Sequence, residues 1–399
     1  MIVKEEQSRV DPPASGGPAI SARRIPVSEP SISSTEITYV TDAVRTGWVS
    51  SSGEYLSGFE RRWAAYCGRK YGVAVCNGTA ALELGLSVLN LQHGDEVILP
   101  SFTIVSSVEA VLRNGFKPVL VDCDSRTHCM DVPQVCAKVT SKTAAIMPVH
   151  IYGHPVNMEA LLNVAKQHDL KVIEDAAEAH GAQCQVHNRW HRCGSFGDVS
   201  AFSFYANKNI TTGEGGMVLT DSADLAERLR SGRNLCFGKN ERFRHEGRGW
   251  NYRMTNVAAA LGCAQIDRID ELLHHKMALA DAYNKGLRGL PLQLPHVEPW
   301  ARPSVWMYAV VLDDTVPFNA AEFARRMAAE GIETRPFFLG MHEQPVYSDL
   351  FSHEQYPVTE RIARRGLYLP SGQTLSDDDL VRVIAAVRRT LGWRQNGRS

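Results

Sequence analysis

The stretch Tyr71-Gly-Val-Ala-Val-Cys-Asn-Gly-Thr-Ala-Ala-Leu-Glu-Leu-Gly-Leu86 runs from a short apolar segment into a helical one, with Asn77 and Gly78 at the junction. The apolar part, Val73 to Cys76, lacks polar alternation, so a strand made from it has both faces covered. Gly78 and Thr79 then open the helix, where free backbone N–H groups and the positive end of the helix dipole gather. A strand that ends in such a helix start can cradle an anion such as phosphate.

The same unit recurs outward along the chain. Apolar runs at Val73 to Cys76, Glu96 to Leu99, Pro118 to Val121, Ala144 to Val149, Lys171 to Ile173, Ser200 to Phe204 and Met217 to Leu219 alternate with helical segments. That alternation predicts an α/β fold: a large three-layer domain around a mostly parallel central sheet. Ligands of open parallel sheets gather at the carboxyl ends of the strands. Upstream, Ser34 to Thr46 and Tyr55 to Cys67 read as helices, joined by the donor-rich loop Gly47 to Gly53. Downstream of about Asp267, helical segments at Asp270 to Leu287, Asn319 to Gly331 and Asp377 to Leu391 surround two strand-like runs, Trp306 to Leu312 and Ile332 to Arg335. The expected organisation is a flexible leader over residues 1–24, a large domain over 25–266, and a smaller α+β domain over 267–399 that closes over a cleft.

Composition narrows the partners. The 399 residues carry 43 basic and 44 acidic side chains, so no net field draws the chain to nucleic acid or to an anionic membrane. No apolar run approaches the roughly 18 residues that span a bilayer, and the first two dozen residues lack the apolar region of a signal peptide; a cytoplasmic protein is expected. Nine scattered cysteines fit reduced thiols. Cys184, His187, His191 and Cys193 are possible zinc ligands, but Asn188-Arg189 between short runs predicts a two-stranded hairpin that splays them, and no metal is expected.

Three features point to one chemistry. Lys208 follows the apolar run Ala201 to Phe204 and precedes the turn Thr211-Thr-Gly-Glu-Gly-Gly216, which places its amine at the rim of a cleft, where partial burial makes a lysine a nucleophile or base. The strand Leu170-Lys-Val-Ile-Glu-Asp175 ends in adjacent acids that face opposite ways, and Asp175 is the better candidate for the cleft. A buried carboxylate needs a cation. With the phosphate cradle at Gly78 and Thr79, the cofactor these features share is pyridoxal 5′-phosphate, which has an aldehyde for a lysine, a protonated ring nitrogen for a carboxylate, and a phosphate. Pro100-Ser-Phe-Thr-Ile-Val-Ser-Ser107 is a second strand-to-helix junction at the same end of the sheet.

From about Arg24 to Leu391 the chain resembles the pyridoxal-phosphate sugar aminotransferases of the DegT or StrS type. The resemblance rests on Gly47-Trp48, Asn77-Gly-Thr-Ala-Ala-Leu82, Pro100-Ser-Phe-Thr103, His150-Ile-Tyr-Gly-His-Pro155, Ile173-Glu-Asp-Ala-Ala-Glu-Ala179, Phe202-Ser-Phe204 with Lys208, Thr211 to Gly216, Gly249-Trp-Asn-Tyr-Arg-Met-Thr-Asn256 and Glu333-Thr-Arg-Pro336. It implies an aspartate aminotransferase-like fold (fold type I) and a homodimer with shared active sites. By the same resemblance Lys208 would bind the cofactor aldehyde and shuttle the proton. Asp175 would pair with the ring nitrogen, and Glu178 would lie near the phenolic oxygen. Gly78, Thr79 and Ser203 would bind the phosphate, and Asn251 of the other subunit would complete that pocket. Trp48, His154 and Arg335 are candidates for the nucleotide sugar. Ile104 stands where relatives usually stack an aromatic residue on the ring, so it covers the ring by dispersion alone.

Relatives that dehydrate the sugar carry histidine in place of this lysine, so Lys208 favours transamination. The subgroup motifs are most similar to those of enzymes that aminate GDP-4-keto-6-deoxymannose at C4, with L-glutamate as donor and 2-oxoglutarate as its product. The alternatives are a dTDP or UDP keto sugar, amination at C3, or a regulatory protein that binds the cofactor without turnover.

Overall fold

The computed structural model describes residues 24–238 and 243–392, so of the expected leader only Arg24 lies among the described residues. The strands of the first part are β1 (Tyr71–Val75), β2 (Glu96–Pro100), β3 (Lys117–Val121), β4 (Thr143–Ile146), β5 (Lys171–Asp175), β6 (Gln183–Val186), β7 (Arg189–Arg192), β8 (Val199–Ser203) and β9 (Gly216–Thr220). Seven of them form one sheet in the order β1-β9-β8-β5-β4-β2-β3. β2 runs parallel to β3 and β4, β4 to β5, and β5 to β8, whereas β9 is antiparallel to both β1 and β8. The reversal has a local cause: the connection from β8 to β9 holds no crossover helix, and parallel neighbours require one. It is closed instead by Phe204 N–H donating to the Gly215 carbonyl at 2.8 Å and Thr212 N–H donating to the Phe204 carbonyl at 2.9 Å.

Helices cover both faces: α1 (Ser34–Arg45), α2 (Glu54–Cys67), α3 (Gly78–Ser87), α4 (Val105–Arg113), α5 (Val132–Lys138), α6 (Met158–Gln167), α7 (Ala223–Arg233) and α8 (Asn256–Asp267). The continuous apolarity of the strands is divided between two cores. Val97 and Leu99 of β2 face one, with Val73, Val75 and Ile173; Ile98 faces the other, with Val121, Ile146 and Val172. Local signals set the helix starts. Ser33 and Glu36 form a capping box on α1, and Asn77, Asn157, Ser222 and Thr255 each accept a first-turn N–H of the helix that follows.

The remaining chain contributes α9 (Ile269–Leu287), β10 (Leu292–Gln293), β11 (Ala301–Arg302), β12 (Tyr308–Leu312), α10 (Ala320–Ala329), β13 (Arg335–Pro336), α11 (Ser348–Phe351), α12 (Pro357–Arg365), β14 (Gly366–Leu369) and α13 (Asp377–Thr390). An antiparallel sheet β10-β12-β14-β13 packs on α9, α10 and α13 through Tyr283, Tyr308, Val310, Phe323 and Val383. Two expectations shift here. The run Trp306 to Leu312 is a strand only from Tyr308, and Ile332 bridges Ile25 instead of continuing into β13. β11 crosses back to the hairpin β6–β7, whose turn residues His187 and Asn188 both have positive φ, the geometry a tight hairpin needs. That hairpin buries Cys184 and leaves His187 and His191 exposed.

One carboxylate joins the two sheets' layers. Asp122, just past β3 and 3% exposed, accepts from the backbone N–H groups of Val358 and Thr359 at 3.0 and 2.9 Å and from the Thr359 hydroxyl at 2.7 Å. It caps α12, whose own N-cap residue Tyr356 makes no side-chain cap. Asp122→Ala leaves these donors buried and unpaired, so it should lower stability by about 3 kcal/mol; a melting temperature within a degree of the wild type would refute this cap.

Candidate active site

At the carboxyl ends of the parallel strands lies a cleft of about 480 Å³, lined among others by Gly78, Thr79, Ile104, Asp175, Glu178, Ser203 and Lys208. Each arrives by a different local device. Lys208 sits on the tight return from β8 to β9, its N–H donating to the Tyr205 carbonyl at 2.9 Å. Gly78 and Thr79 form the first turn of α3, whose leading N–H groups have no acceptor within a helix. A Cβ on Gly78 would lie 2.7 Å from the Ser203 Cβ, so only glycine lets α3 start this close to the end of β8. The Thr79 and Ser106 hydroxyls are 2.7 Å apart, which adds the α4 junction to the same wall.

The adjacent acids of β5 part company. Glu174 points away from the cleft, where it accepts from Gly194 N–H at 2.5 Å, Phe196 N–H at 2.9 Å and His150 Nε2 at 2.8 Å. His150 Nδ1 in turn accepts from Val156 N–H at 3.0 Å. Those bonds occupy the ligating atoms of both residues, although Cys193 completes with them a buried trio within 4.8 Å. Asp175 faces the cleft and accepts from Ser107 Oγ and from Ala177 N–H, both at 3.1 Å. Burial still pushes its pKa up, the mark of a buried acid short of a cation.

Lys208 Nζ lies 3.8 Å from Glu178 Oε1 and 3.7 Å from the centre of the Trp306 ring. Desolvation drives the two groups oppositely, Glu178 up and Lys208 down, while the charge of each pulls the other back. Glu178 also accepts from Tyr152 N–H at 2.7 Å, and Tyr152 holds φ at +52°, a left-handed conformation costly for a tyrosine.

These residues fit pyridoxal 5′-phosphate by chemistry. The cleft holds an amine that burial disfavours charging, a buried carboxylate wanting a cation, and a helix start with hydroxyls for an anion.

Four other candidates lie elsewhere in the single chain. His154 is packed beside Trp300, its Nδ1 donating to the Pro155 carbonyl at 2.8 Å and its Nε2 accepting from Glu298 N–H at 3.4 Å, and it is not part of the cleft wall. Arg335 pairs with Glu333 at 2.8 Å on β13, opposite the cleft residue Tyr368. Trp48 and Asn251 are exposed away from the cleft. Conversely, Trp306, Phe338 and Tyr368 line it from the C-terminal part, and sequence reading did not mark them because nothing local relates them to Lys208. Ser106 and Ser107 had a visible signal, the strand-to-helix junction that ends with them.

Burial holds the pKa of His154 and His128 down to about 4 and that of His180 to about 3. Unfolded, each titrates near the ordinary 6.5, so the unfolded state binds more protons below that pH. Their contribution is complete above pH 6.5 and is lost as pH falls toward 4. Glu178 works the other way in part of the same window. Comparison of wild type with His154→Asn cancels the shared groups: the wild type should lose about 3 kcal/mol more between pH 7 and 4. Parallel stability curves across that range would contradict a neutral, buried His154.

The family model for the DegT/DnrJ/EryC1/StrS aminotransferases matches residues 30–388. GDP-perosamine synthase of Caulobacter vibrioides is 41% identical over 92% of this chain and 98% of its own. The enzyme of the same name from Escherichia coli O157:H7 is 38% identical over 91% and 97%. The dTDP-3-amino-3,4,6-trideoxy-alpha-D-glucose transaminase of Streptomyces venezuelae is 37% identical over 92% and 96%. Among solved structures, S. venezuelae DesV superposes with a TM-score of 0.85 at 34% identity, covering 92% of this chain and 98% of that one.

Proposed function

The chain belongs to the DegT/DnrJ/EryC1/StrS aminotransferase family and is a pyridoxal-phosphate-dependent sugar aminotransferase; on that premise we propose that it aminates C4 of GDP-4-keto-6-deoxymannose to give GDP-perosamine, with L-glutamate as donor. The observation that carries the sugar is the 41% identity to a GDP-perosamine synthase along nearly the whole of both chains. The 37% identity to a dTDP-sugar transaminase keeps a dTDP or UDP keto sugar, aminated at C3, as the second reading.

When bound, the cofactor supplies an electron sink that makes a Cα proton acidic. Asp175 answers the ring nitrogen, because its buried carboxylate lacks a cation. The first-turn amides of Gly78 and Thr79 and the Ser203 hydroxyl take the phosphate. Ile104, 40% exposed on the cleft wall, covers the ring in this reading. Lys208 would hold the aldehyde and, as a free amine, would act as the base toward the donor's Cα proton. In the second half-reaction the same amine would act as the acid that delivers a proton to C4 of the sugar. Glu178, 3.8 Å from Lys208 Nζ, is the acid that would steady the amine whenever it carries a proton.

The working unit in this reading is a dimer. Asn251 is exposed and outside the cleft of its own chain, as a residue donated to a partner's phosphate pocket must be. Ile37, Val44, Trp48 and Val49 leave an apolar strip exposed along α1 and the loop after it, which a second copy would cover. Among the described residues no helix is long and apolar enough to cross a membrane.

Purified protein should show a visible absorbance band that Lys208→Ala abolishes together with at least about a thousandfold of the turnover, the range for loss of a general acid–base group. With L-glutamate and a panel of nucleotide keto sugars, mass detection should find amine on GDP-4-keto-6-deoxymannose. Turnover of a dTDP or UDP 3-keto sugar instead would remove the sugar assignment alone, whereas a wild type without the band would remove the site assignment.

A further inference from the structure

Helix α9 buries a lysine where none is needed for packing. Lys276 is 2% exposed, and among the described residues no carboxylate pairs with it. Its ammonium donates to two main-chain carbonyls, that of Trp306 at 2.8 Å and that of Ser371. Burying an unpaired ammonium costs several kcal/mol, so an apolar residue of similar length would serve the core better. Burial alone pulls its pKa down to about 7.

Trp306 is the more consequential of its two partners. The residue is pinned by its N–H donating to the Tyr152 carbonyl at 3.1 Å, by its indole Nε1 donating to the Asn207 carbonyl at 2.8 Å, and by Lys276 on its own carbonyl. Asn207 precedes Lys208, and the indole face lies 3.7 Å from Lys208 Nζ. A continuous chain of contacts therefore runs from α9 through Trp306 to the amine at the strand end. Ser371 ties the same ammonium to the segment after β14, since its hydroxyl accepts from Tyr308 N–H at 3.2 Å.

We propose that Lys276 is a positioning residue for transamination: by fixing the main chain at Trp306 and Ser371 it holds the indole against Lys208 and keeps that amine dry. The inference rests on the reading of Lys208 as the residue that binds the cofactor. The charged and titratable groups that face Lys208 are Glu178, Asp175 and His180; Lys276 is not among the charges that act on it, and its own titratable neighbour is His275. A change at Lys208 after substitution of Lys276 is therefore carried by packing and not by direct charge, with Trp306 as the contact that reaches the amine.

The test is a double-mutant cycle on the enzyme stripped of cofactor and resupplied with pyridoxal 5′-phosphate. The rate of cofactor capture against pH reports the free amine of Lys208. Lys276→Met and Trp306→Phe should each raise its midpoint by about one pH unit, because a wetter amine recovers its ordinary basicity. The double variant should move it no further, as residues acting along one chain do not add. In the reloaded enzymes kcat should fall about tenfold in each single variant and no more than about thirtyfold in the double, with KM for the sugar within about twofold. A midpoint unmoved in Lys276→Met, or single effects that multiply in the double, overturns the proposal. Should Lys276→Met not fold, Lys276→Gln, which keeps a donor without a buried charge, replaces it in the cycle. A Lys208→Ala protein that captures cofactor with wild-type kinetics would remove the underlying reading instead.

Discussion

The site depends on keeping one amine nearly out of water. The Lys208 side chain is 10% exposed, its amine 3.7 Å from the centre of the Trp306 ring and 3.8 Å from Glu178. Two opposite charges about 4 Å apart attract by about 4 kcal/mol at an effective dielectric near 20. Desolvation costs each ion several kcal/mol. The terms are comparable, so neither group is locked in one protonation state, which is what the proton-transfer role proposed for Lys208 requires. Asp175 lies in the same dry space and meets the same conflict with two hydrogen bonds in place of a cation.

That arrangement is made possible by a break in the parallel sheet. Had β8 been followed by a crossover helix like its predecessors, the residues after it would have been carried away across a sheet face. The short return to β9 instead keeps the Tyr205–Asn207–Lys208 turn at the strand end. There it meets the start of α3, because Gly78 admits Ser203 at a distance that any side chain would forbid. The phosphate-type cradle and the amine are thus neighbours through backbone packing, before any side-chain contact is counted.

Much of this was legible in the chain itself. The seven strands of the main sheet were recognisable from unbroken apolar runs, and the helices beside them from period and caps, because these signals are local and strong. Lys208, Asp175, Gly78 and Thr79 stand in short motifs at strand ends, where the α/β rule says ligands gather. The reversal of β9 was not apparent, since a strand reads alike in both directions. β14, four residues long, carries too little pattern to stand out. The resemblance made His154 a candidate for the nucleotide sugar; in the single chain it is buried beside Trp300 and does not line the cleft, a packing that no local pattern shows.

Trp306 and Lys276 mark the boundary most clearly. Nothing in their own stretches relates them to Lys208, about seventy and a hundred residues upstream, and each reads as an ordinary core or surface residue. Sequence alone determined the α/β class, the end of the sheet that carries chemistry, and the residue types able to hold a cofactor, because periodicity and junction motifs are written within a few residues. Only the tertiary structure decided how dry that amine is, which acid faces it and which indole covers it. Those properties are distances between segments remote in sequence, and they exist only once the two cores have packed.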